Sequence, residues 1–459
     1  TLDPADWQAN IQTVDLTGLA TLFPGDPEPE YVDINADNIA VVSLQENNHL
    51  ILVDVTDGSI VNHFSAGDVD LAQVDILEED EIDPSGSLTD VPREPDGVSW
   101  INTELFATAD EGDLFGGSRG FTIFNTLGEV VYTSDNDLDH LAISHGHYPD
   151  GRSENKGNEP ENVEFGSFGG DDYLFVNSER SSLTFVYNVN DPVAPVLTQV
   201  LPTALGPEGA LAITSRNLLV VASEEDARGD KVRGGVNIYS YEVGNPTYPS
   251  IVSTDSGDGT PIPWSALSGL AYSSASPGML YSIEDSAFIS SRIFGIDVTK
   301  VPAMLTTEIE ITDTNDVFLT NAPTDDVGAE ADVFSSADLD AMINDDKSVN
   351  LDPEGIAIAT GGGFWVASEG RGTVGDAGRP VEKLNFIFKV SDTGVIEAVV
   401  PLEAALNAVQ LRFGLEGIAE YNGMAYVAFQ RAWNGEANPR IGIYDVANAT
   451  WSYVFYPLE

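Results

Sequence analysis

Short apolar stretches recur in pairs along the chain, and the second stretch of each pair ends in Glu or Gln. In the clearest copy, Glu354-Gly355-Ile356-Ala357-Ile358 leads through a glycine turn to Phe364-Trp365-Val366-Ala367-Ser368-Glu369. A third apolar stretch follows at Phe386–Val390. The pattern occurs seven times, and 14 to 18 residues separate the opening residue from the end of the second stretch. Two strands and a tight turn need about this length, so each copy predicts a small antiparallel sheet.

A unit of three or four short strands that is repeated seven times is typical of a β-propeller. We therefore predict an all-β fold, a seven-bladed β-propeller with loop insertions. Residues 1–459 are expected to form one domain, with blades that start near residues 30, 96, 161, 208, 268, 354 and 416.

The segments between and around the copies lead to further expectations. The insertions at roughly 63–92, 134–158, 243–264 and 299–351 are rich in Asp, Gly, Ser and Pro, which predicts surface loops or caps. The strand-like ends at 13–16 and 451–456 are expected to complete one blade together and so close the ring. Helical periodicity is fair only at 336–344 and 402–411.

Acidic residues dominate the charged positions, with 75 Asp and Glu against 19 Lys and Arg and a formal net charge of −56. This excess excludes nucleic acid as a partner and disfavours an anionic membrane surface, because both need clustered basic residues. It is typical of solubility in salt, as in marine or halophilic proteins. The chain has no cysteine. It begins at Thr1, and no apolar run approaches the roughly 18 residues of a membrane-spanning helix, so we expect a processed, secreted or periplasmic protein.

The repeat predicts rings of carboxylates, because equivalent positions of the innermost propeller strands line the central channel. Crowded carboxylates do not all ionise unaided, and oxygen-bound divalent cations relieve that repulsion, so we predict Ca²⁺ as the cofactor. The predicted metal-binding residues are Glu30, Glu46, Asp96, Glu161, Glu179, Glu208, Glu224, Glu284, Glu354 and Glu416. In the alternative interpretation, each Glu accepts backbone N–H bonds between blades and the following Gly permits close packing.

The few basic residues fall mainly in the loops that follow the second strands. Guanidinium groups beside metals and carboxylates form anion sites, since they match phosphate oxygens in bidentate fashion. The alternative is that each Arg only pairs with a neighbouring Glu, as Arg180 would with Glu179. The predicted substrate-binding residues are Arg152, Lys156, Arg228, Arg292 and Arg431.

Several of these segments resemble known families. Asp352-Pro353-Glu354-Gly355-Ile356-Ala357 and Leu415-Glu416-Gly417-Ile418-Ala419 resemble the family called esterase-like activity of phytase. The first half is similar to the choice-of-anchor I propellers, which are also described as alkaline phosphatase-like. The stretches that carry this second resemblance include Pro29-Glu30-Tyr31-Val32, Gly116-Gly117-Ser118-Arg119-Gly120-Phe121 and Gly206-Pro207-Glu208-Gly209.

The resemblance implies a secreted, Ca²⁺-dependent phosphoric-ester hydrolase that acts on phytate or another small phosphomonoester. Metal-assisted attack of water is the hypothesis for its mechanism. The predicted catalytic residues are Arg119, Arg180, Arg371, Glu369 and Glu111. Two alternatives stay open: a non-enzymatic extracellular binding, surface or matrix propeller with structural Ca²⁺, and a lactonase-like propeller hydrolase.

Overall fold

Each copy of the repeated pattern folds as its own small antiparallel sheet. The computed structural model describes residues 3, 8, 11–112, 114–244, 250–325, 333–433 and 435–457. The chain divides into two compact units, residues 1–247 and 248–459, which we describe separately. The all-β architecture predicted from the sequence is confirmed, and the closure of the sheets into one seven-bladed ring stays a prediction.

The first unit contains the sheets of the first four copies, in which consecutive strands are hydrogen-bonded neighbours. The first sheet consists of β1 (Pro29–Ile34), β2 (Ile39–Leu44), β3 (His49–Asp54) and β4 (Ser59–Ser65). The second consists of β7 (Pro95–Trp100), β8 (Leu105–Asp110), β9 (Gly120–Asn125) and β10 (Val130–Thr133). The third consists of β11 (Pro160–Phe168), β12 (Asp171–Ser178), β13 (Leu183–Asn188) and β14 (Val196–Pro202). The fourth consists of β15 (Pro207–Ile213), β16 (Leu218–Ser223) and β17 (Gly235–Ser240).

The second unit contains the last three sheets. The fifth has the order β18 (Ile251–Ser253), β22 (Ala303–Glu310), β21 (Arg292–Asp297), β20 (Met279–Glu284) and β19 (Leu267–Tyr272), with β18 parallel to β22. The sixth consists of β23 (Pro353–Ile358), β24 (Phe364–Ser368), β25 (Phe386–Val390) and β26 (Ile396–Pro401). The seventh consists of β27 (Leu415–Tyr421), β28 (Met424–Phe429), β29 (Arg440–Asp445) and β30 (Thr450–Phe455).

The core of each unit lies between neighbouring sheets. In the first unit, Phe121 and Ile123 of the second sheet pack with Val176 and Phe185 of the third, and all four are fully buried. Within each unit, the first strands of consecutive sheets also lie side by side: β1, β7, β11 and β15 in the first unit, and β19, β23 and β27 in the second. Equivalent residues of consecutive sheets are thereby brought together.

Several segments differ from their predictions. Residues 13–16 form no strand, because Val14 and Leu16 instead pack against buried residues of the first sheet, and β30 pairs with β29 alone among the described strands. The insertion at 63–92 is not only loop, since β5 (Asp68–Val74) and β6 (Gly86–Pro92) form a two-stranded sheet.

The helices are shorter and more numerous than the periodicity predicted. Within the two predicted helical stretches the structure has α3 (Ser336–Asp340) and α4 (Ala404–Asn407). Elsewhere among the described residues, α1 (Asp137–Ser144) and α2 (Val317–Asn321) were not predicted. Because Leu138, Ala142 and Ile143 of α1 are buried, the 134–158 insertion is a packed part of the first unit.

Candidate metal and anion site

A register break occurs at the start of each first strand, at the position that carries the repeated acid. In β7, for example, the pairing shifts between Pro95 and Val98, around Asp96, and in β23 it shifts between Pro353 and Gly355, around Glu354. The same shift occurs in the other five first strands. A bulge of this kind leaves one residue out of the ladder and redirects its side chain. Proline is tolerated there because the first residue of a strand can lack a ladder N–H donor.

The glycine after the acid lets the next first strand approach closely. A Cβ at Gly97 would lie 2.7 Å from the backbone O of Glu161, and one at Gly355 would lie 2.8 Å from the backbone O of Glu416. These distances are too short for any residue except glycine. The close-packing interpretation of this glycine therefore holds at both positions, and the packing draws the neighbouring acids together.

The first unit gathers five carboxylates that we call the first acidic cluster: Asp96, Glu111, Glu159, Glu161 and Glu179. Carboxylate oxygens of Asp96, Glu111 and Glu161 lie within 4.8 Å of one another, and so do those of Glu159, Glu161 and Glu179. Glu161, at the bulge of β11, belongs to both groups. Glu159 was not predicted, although it lies directly before the proline that begins β11.

Burial and mutual repulsion make full ionisation of the first acidic cluster unfavourable. Burial is the largest cause that raises the pKa of Asp96 to about 7, and the charge of Glu111 adds to it. Burial and the charge of Glu111 also raise the pKa of Glu161 far above its usual value. Burial likewise raises the pKa of Glu179 to about 7, against the opposing effect of Arg180. Such a set of hard oxygen donors is stabilised by protons or by a divalent cation, so it fits Ca²⁺.

Three basic side chains contact the first acidic cluster. Lys156 Nζ lies 2.5 Å from Glu111 Oε1, and Arg152 Nε donates to Glu159 Oε1. Arg180 contacts two carboxylates, with Nε 3.1 Å from Glu159 Oε2 and Nη1 3.0 Å from Glu179 Oε1. The Arg180 side chain is 40% exposed and can be reached from solvent. If all five carboxylates were ionised, these three cations would leave a net charge of −2, which one divalent cation would neutralise.

The second unit gathers Asp285, Asp352 and Glu354, which we call the second acidic cluster. Their carboxylate oxygens also lie within 4.8 Å of one another. Burial raises the pKa of Asp352, and burial with the charge of Asp285 raises the pKa of Glu354 to about 7. Ser268 occupies the position of the repeated acid in the fifth copy, and its Oγ donates to Glu354 Oε2 at 3.1 Å.

Other predicted residues lie around the second acidic cluster. Burial raises the pKa of Glu369 to about 7, and its Oε1 accepts from the backbone N of Gly414. Burial also raises the pKa of Glu416. Lys383, which the sequence analysis did not select, has its pKa lowered by burial, and its Nζ donates to Asn350 Oδ1 at 2.8 Å.

Glu284 and Arg292 form an internal ion pair in the fifth sheet. Arg292 Nε and Nη2 lie 2.8 Å and 3.0 Å from the two Glu284 oxygens, and Nη1 lies 2.7 Å from Glu308 Oε1. Asp285, the next residue, provides the carboxylate of the second acidic cluster in place of Glu284. That shift by one residue was not visible in the sequence.

Arg119 is 1% exposed and donates to Asp139 and to backbone carbonyls of the first unit, not to the first acidic cluster. Three other predicted arginines contact residues that do not belong to the first acidic cluster. Arg371 is 70% exposed and contacts Glu382. Arg228 contacts Asp226, and Arg431 lies over the ring of Phe413.

Glu30, Glu208 and Glu224 are exposed and Glu46 is half-buried. Glu30 and Glu208 lie near enough that their charges raise the pKa of Asp96.

No helix among the described residues is long and apolar enough to cross a membrane. No curated protein matches the chain.

Solved structures that resemble the chain do so at low similarity. Hydrazine synthase of Kuenenia stuttgartiensis is 10% identical with a TM-score of 0.32, and the match covers 98% of this chain and 99% of that one. Hsv2 of Kluyveromyces lactis is 8% identical with a TM-score of 0.26, covering 94% and 98%. Virginiamycin B lyase of Staphylococcus aureus is 10% identical with a TM-score of 0.22, covering 94% and 86%.

Two family models match parts of the sequence. The choice-of-anchor I domain matches residues 7–116 and 114–192, which carry the first acidic cluster. The model described as esterase-like activity of phytase matches residues 262–459, which carry the second acidic cluster. Both resemblances drawn from the sequence are thereby confirmed: the first part of the chain matches the choice-of-anchor I family, and the last part matches the phytase-like family.

Proposed function

We propose that the chain is a hydrolase of small phosphoric esters that uses Ca²⁺ held by the first acidic cluster. The observation that carries this proposal is the contact of Arg152, Lys156 and Arg180 with carboxylates of the first acidic cluster, which crowds five buried or half-buried carboxylates together. Oxygen ligands suited to a cation and basic groups suited to an anion thus lie in direct contact. The match of residues 262–459 to the phytase-like model supports the hydrolytic activity.

The residues of the first acidic cluster and the basic residues around it have different proposed roles. Glu111, Glu161 and Asp96 are the proposed ligands of the cation, and Ca²⁺ there would neutralise phosphate oxygens and lower the pKa of an attacking water. Arg180 is the proposed group that stabilises charge on the phosphate in the transition state, because it is fixed by two carboxylates and still open to solvent. Lys156 and Arg152 are the proposed groups that bind and orient the phosphate.

The second acidic cluster is the proposed location of a further Ca²⁺. Glu354 and Glu416 were predicted as ligands, and Asp285 and Asp352 join them in the proposal. Arg371 and Glu369 stay in the proposal as residues near this cluster, with Arg371 exposed to incoming anions. The match to a choice-of-anchor I domain supports a secreted or cell-surface location.

The test is hydrolysis of p-nitrophenyl phosphate and of phytate by the purified chain, in Ca²⁺ and in chelator. We expect turnover only with Ca²⁺, and a loss of about a hundredfold in kcat for Arg180→Gln, as for removal of one preorganised donor. Arg233→Gln is the matched control, because Arg233 is an exposed arginine of the same unit that pairs with Asp226. Turnover that is unchanged in chelator contradicts the role of Ca²⁺.

A non-enzymatic role with structural Ca²⁺ is the second candidate. It is favoured by the fact that Arg152, Lys156 and Arg180 each already contact a carboxylate of the first acidic cluster. In that case Ca²⁺ raises the melting temperature, no ester is cleaved, and Arg180→Gln changes stability alone.

A further inference from the structure

Arg119 lies at a junction of three chain segments in the first unit. Its Nη1 donates to the backbone O of Asp75, just after β5, at 2.6 Å and to Asp139 Oδ2 of α1 at 3.2 Å. Its Nη2 donates to the backbone O of Ser153 at 2.5 Å. One guanidinium therefore joins the β5–β6 hairpin, α1 and the segment 150–159 to the second sheet.

The surroundings hold this guanidinium in one place. A Cβ at Gly157 would lie 2.8 Å from Arg119 Cδ, and one at Gly117 would lie 2.7 Å from Arg119 Nε. Arg119 itself has φ +58°, a conformation that costs free energy in a residue other than glycine and persists only where its surroundings impose it. The side chain is therefore enclosed by the backbone of Gly117 and Gly157.

The same junction continues into the proposed site. Asp139 Oδ1, on the carboxylate that pairs with Arg119, accepts from the backbone N of Asn158 at 3.2 Å and from its Nδ2 at 2.7 Å. Asn158 Nδ2 also donates to the backbone O of Arg119 at 2.9 Å. Asn158 directly precedes Glu159, and the segment from 152 to 159 carries both Arg152 and Lys156.

We propose that Arg119 is a positioning residue, which fixes the segment 150–159 so that Arg152 and Lys156 face the carboxylates of Glu159 and Glu111. This assignment replaces the catalytic role that the sequence suggested, because the guanidinium is buried and committed to other partners. It rests on the proposed function only in so far as Arg152 and Lys156 bind phosphate.

The first experiment measures the affinity of the Ca²⁺-loaded chain for inorganic phosphate by calorimetry. Arg119→Lys keeps the charge but cannot reach three acceptors at once, so we expect affinity to fall about tenfold, as for one charge-assisted hydrogen bond. The loss should become smaller when Lys156→Met is already present, because Arg119 then affects phosphate only through Arg152. Arg93→Lys is the matched control: Arg93 is also buried and donates to carbonyls, those of Ala66 and Asp68, without contacting the segment 150–159.

The second experiment observes the segment without any activity. Since the chain has no cysteine, spin labels on Gly151→Cys and Val193→Cys report one distance between the segment and the turn before β14. A side chain at position 151 meets open space, and Val193 is exposed, so neither label disturbs packing. We expect a narrow distance distribution in the parent and in Arg93→Lys, and a broad one in Arg119→Lys.

The outcomes separate the two proposals. A distribution that stays narrow in folded Arg119→Lys overturns the positioning role. A broadened distribution in a chain that binds no phosphate overturns the proposed function and leaves the positioning role standing. If Arg119→Lys does not fold, Asp139→Asn weakens the same junction while keeping the shape of the side chain, and the same broadening is expected.

Discussion

Each of the two acidic clusters contains at least one carboxylate from the bulge at the start of a first strand, but the clusters have different surroundings. The first lies beside the 134–158 insertion, which brings Arg152 and Lys156 into contact with its carboxylates. In the second, Lys383 donates to Asn350 and its charge opposes the rise in the pKa of Asp352, while Arg371 contacts the exposed Glu382. The repeated bulge and glycine bring carboxylates together in both units, whereas, among the described residues, the 134–158 insertion adds direct ion pairs to the first cluster alone of the two. Loops on a repeated scaffold thus set which side chains surround the repeated carboxylates.

The largest expected effect is the dependence of the free energy of unfolding on pH, to which both clusters contribute. In chelator, we expect the free energy of unfolding to fall as pH rises from about 4.5 to about 7. The sign follows from the raised pKa values. In this window the native carboxyls of Asp96, Glu179 and Glu354 keep protons that the unfolded chain has lost. Their pKa values are about 7, so the stabilisation that these protons provide is lost once the pH rises above that value. Urea unfolding across pH measures this slope, and Ca²⁺ should flatten it.

Two variants compare the clusters in the same titration. When the titration continues above pH 7, Glu161→Gln should remove more of the slope than Glu354→Gln, because the pKa of Glu161 is raised further than that of Glu354, which reaches about 7. Equal effects of the two variants would contradict the difference between the clusters. A slope that Ca²⁺ leaves unchanged would contradict cation binding at both.

The next largest effect is the loss of stability when one partner of an ion pair is removed. Glu159 is fully buried and contacts Arg152 and Arg180, so Glu159→Gln leaves both guanidinium groups without that charge. Removing one partner of a buried pair costs 3–5 kcal/mol, and because both arginines are about one-third exposed, we expect about 2 kcal/mol. Glu382→Gln, which removes the exposed partner of Arg371, should cost at most about 0.5 kcal/mol. Urea unfolding at one pH measures both, and equal costs would show that burial does not distinguish the two pairs.

The repeat was sufficient to predict the strands because each copy has a strong apolar pattern and turn residues of its own. The third apolar stretch identified at 386–390, for example, coincides with β25. The strand expected at 451–456 is present as β30, whereas the one expected at 13–16 is not, since the apolar residues near position 14 have no repeat to define their partner. The helix α1 was missed because eight residues, several of them polar, carry little periodicity, and its burial depends on contacts with distant strands.

For the candidate sites, the sequence identified which acids repeat but not what each one contacts. Glu284 fits the repeat, yet it lies opposite Arg292, eight residues later, and forms an internal ion pair. Arg119 and Arg180 have similar places in the repeat, yet one is enclosed by glycine backbone and the other is open to solvent. Such differences depend on which insertion covers a position, and the repeat carries no signal for that.

The smallest expected effect concerns the glycines that bring the acids together. Gly97→Ala places a methyl group 2.7 Å from the backbone O of Glu161, so strand β11 must shift, and we expect a cost of about 1–2 kcal/mol. Gly417→Ala is the matched control in the second unit, because a Cβ there meets nothing within 4 Å. Urea unfolding measures the cost, and the Ca²⁺ concentration that gives half-maximal stabilisation should rise for Gly97→Ala alone. Equal behaviour of the two variants would show that the distance between first strands is not what holds Asp96 against Glu161. The bulge at each acid would then be enough to hold the carboxylates together. The spacing between first strands would not contribute to Ca²⁺ affinity in either cluster.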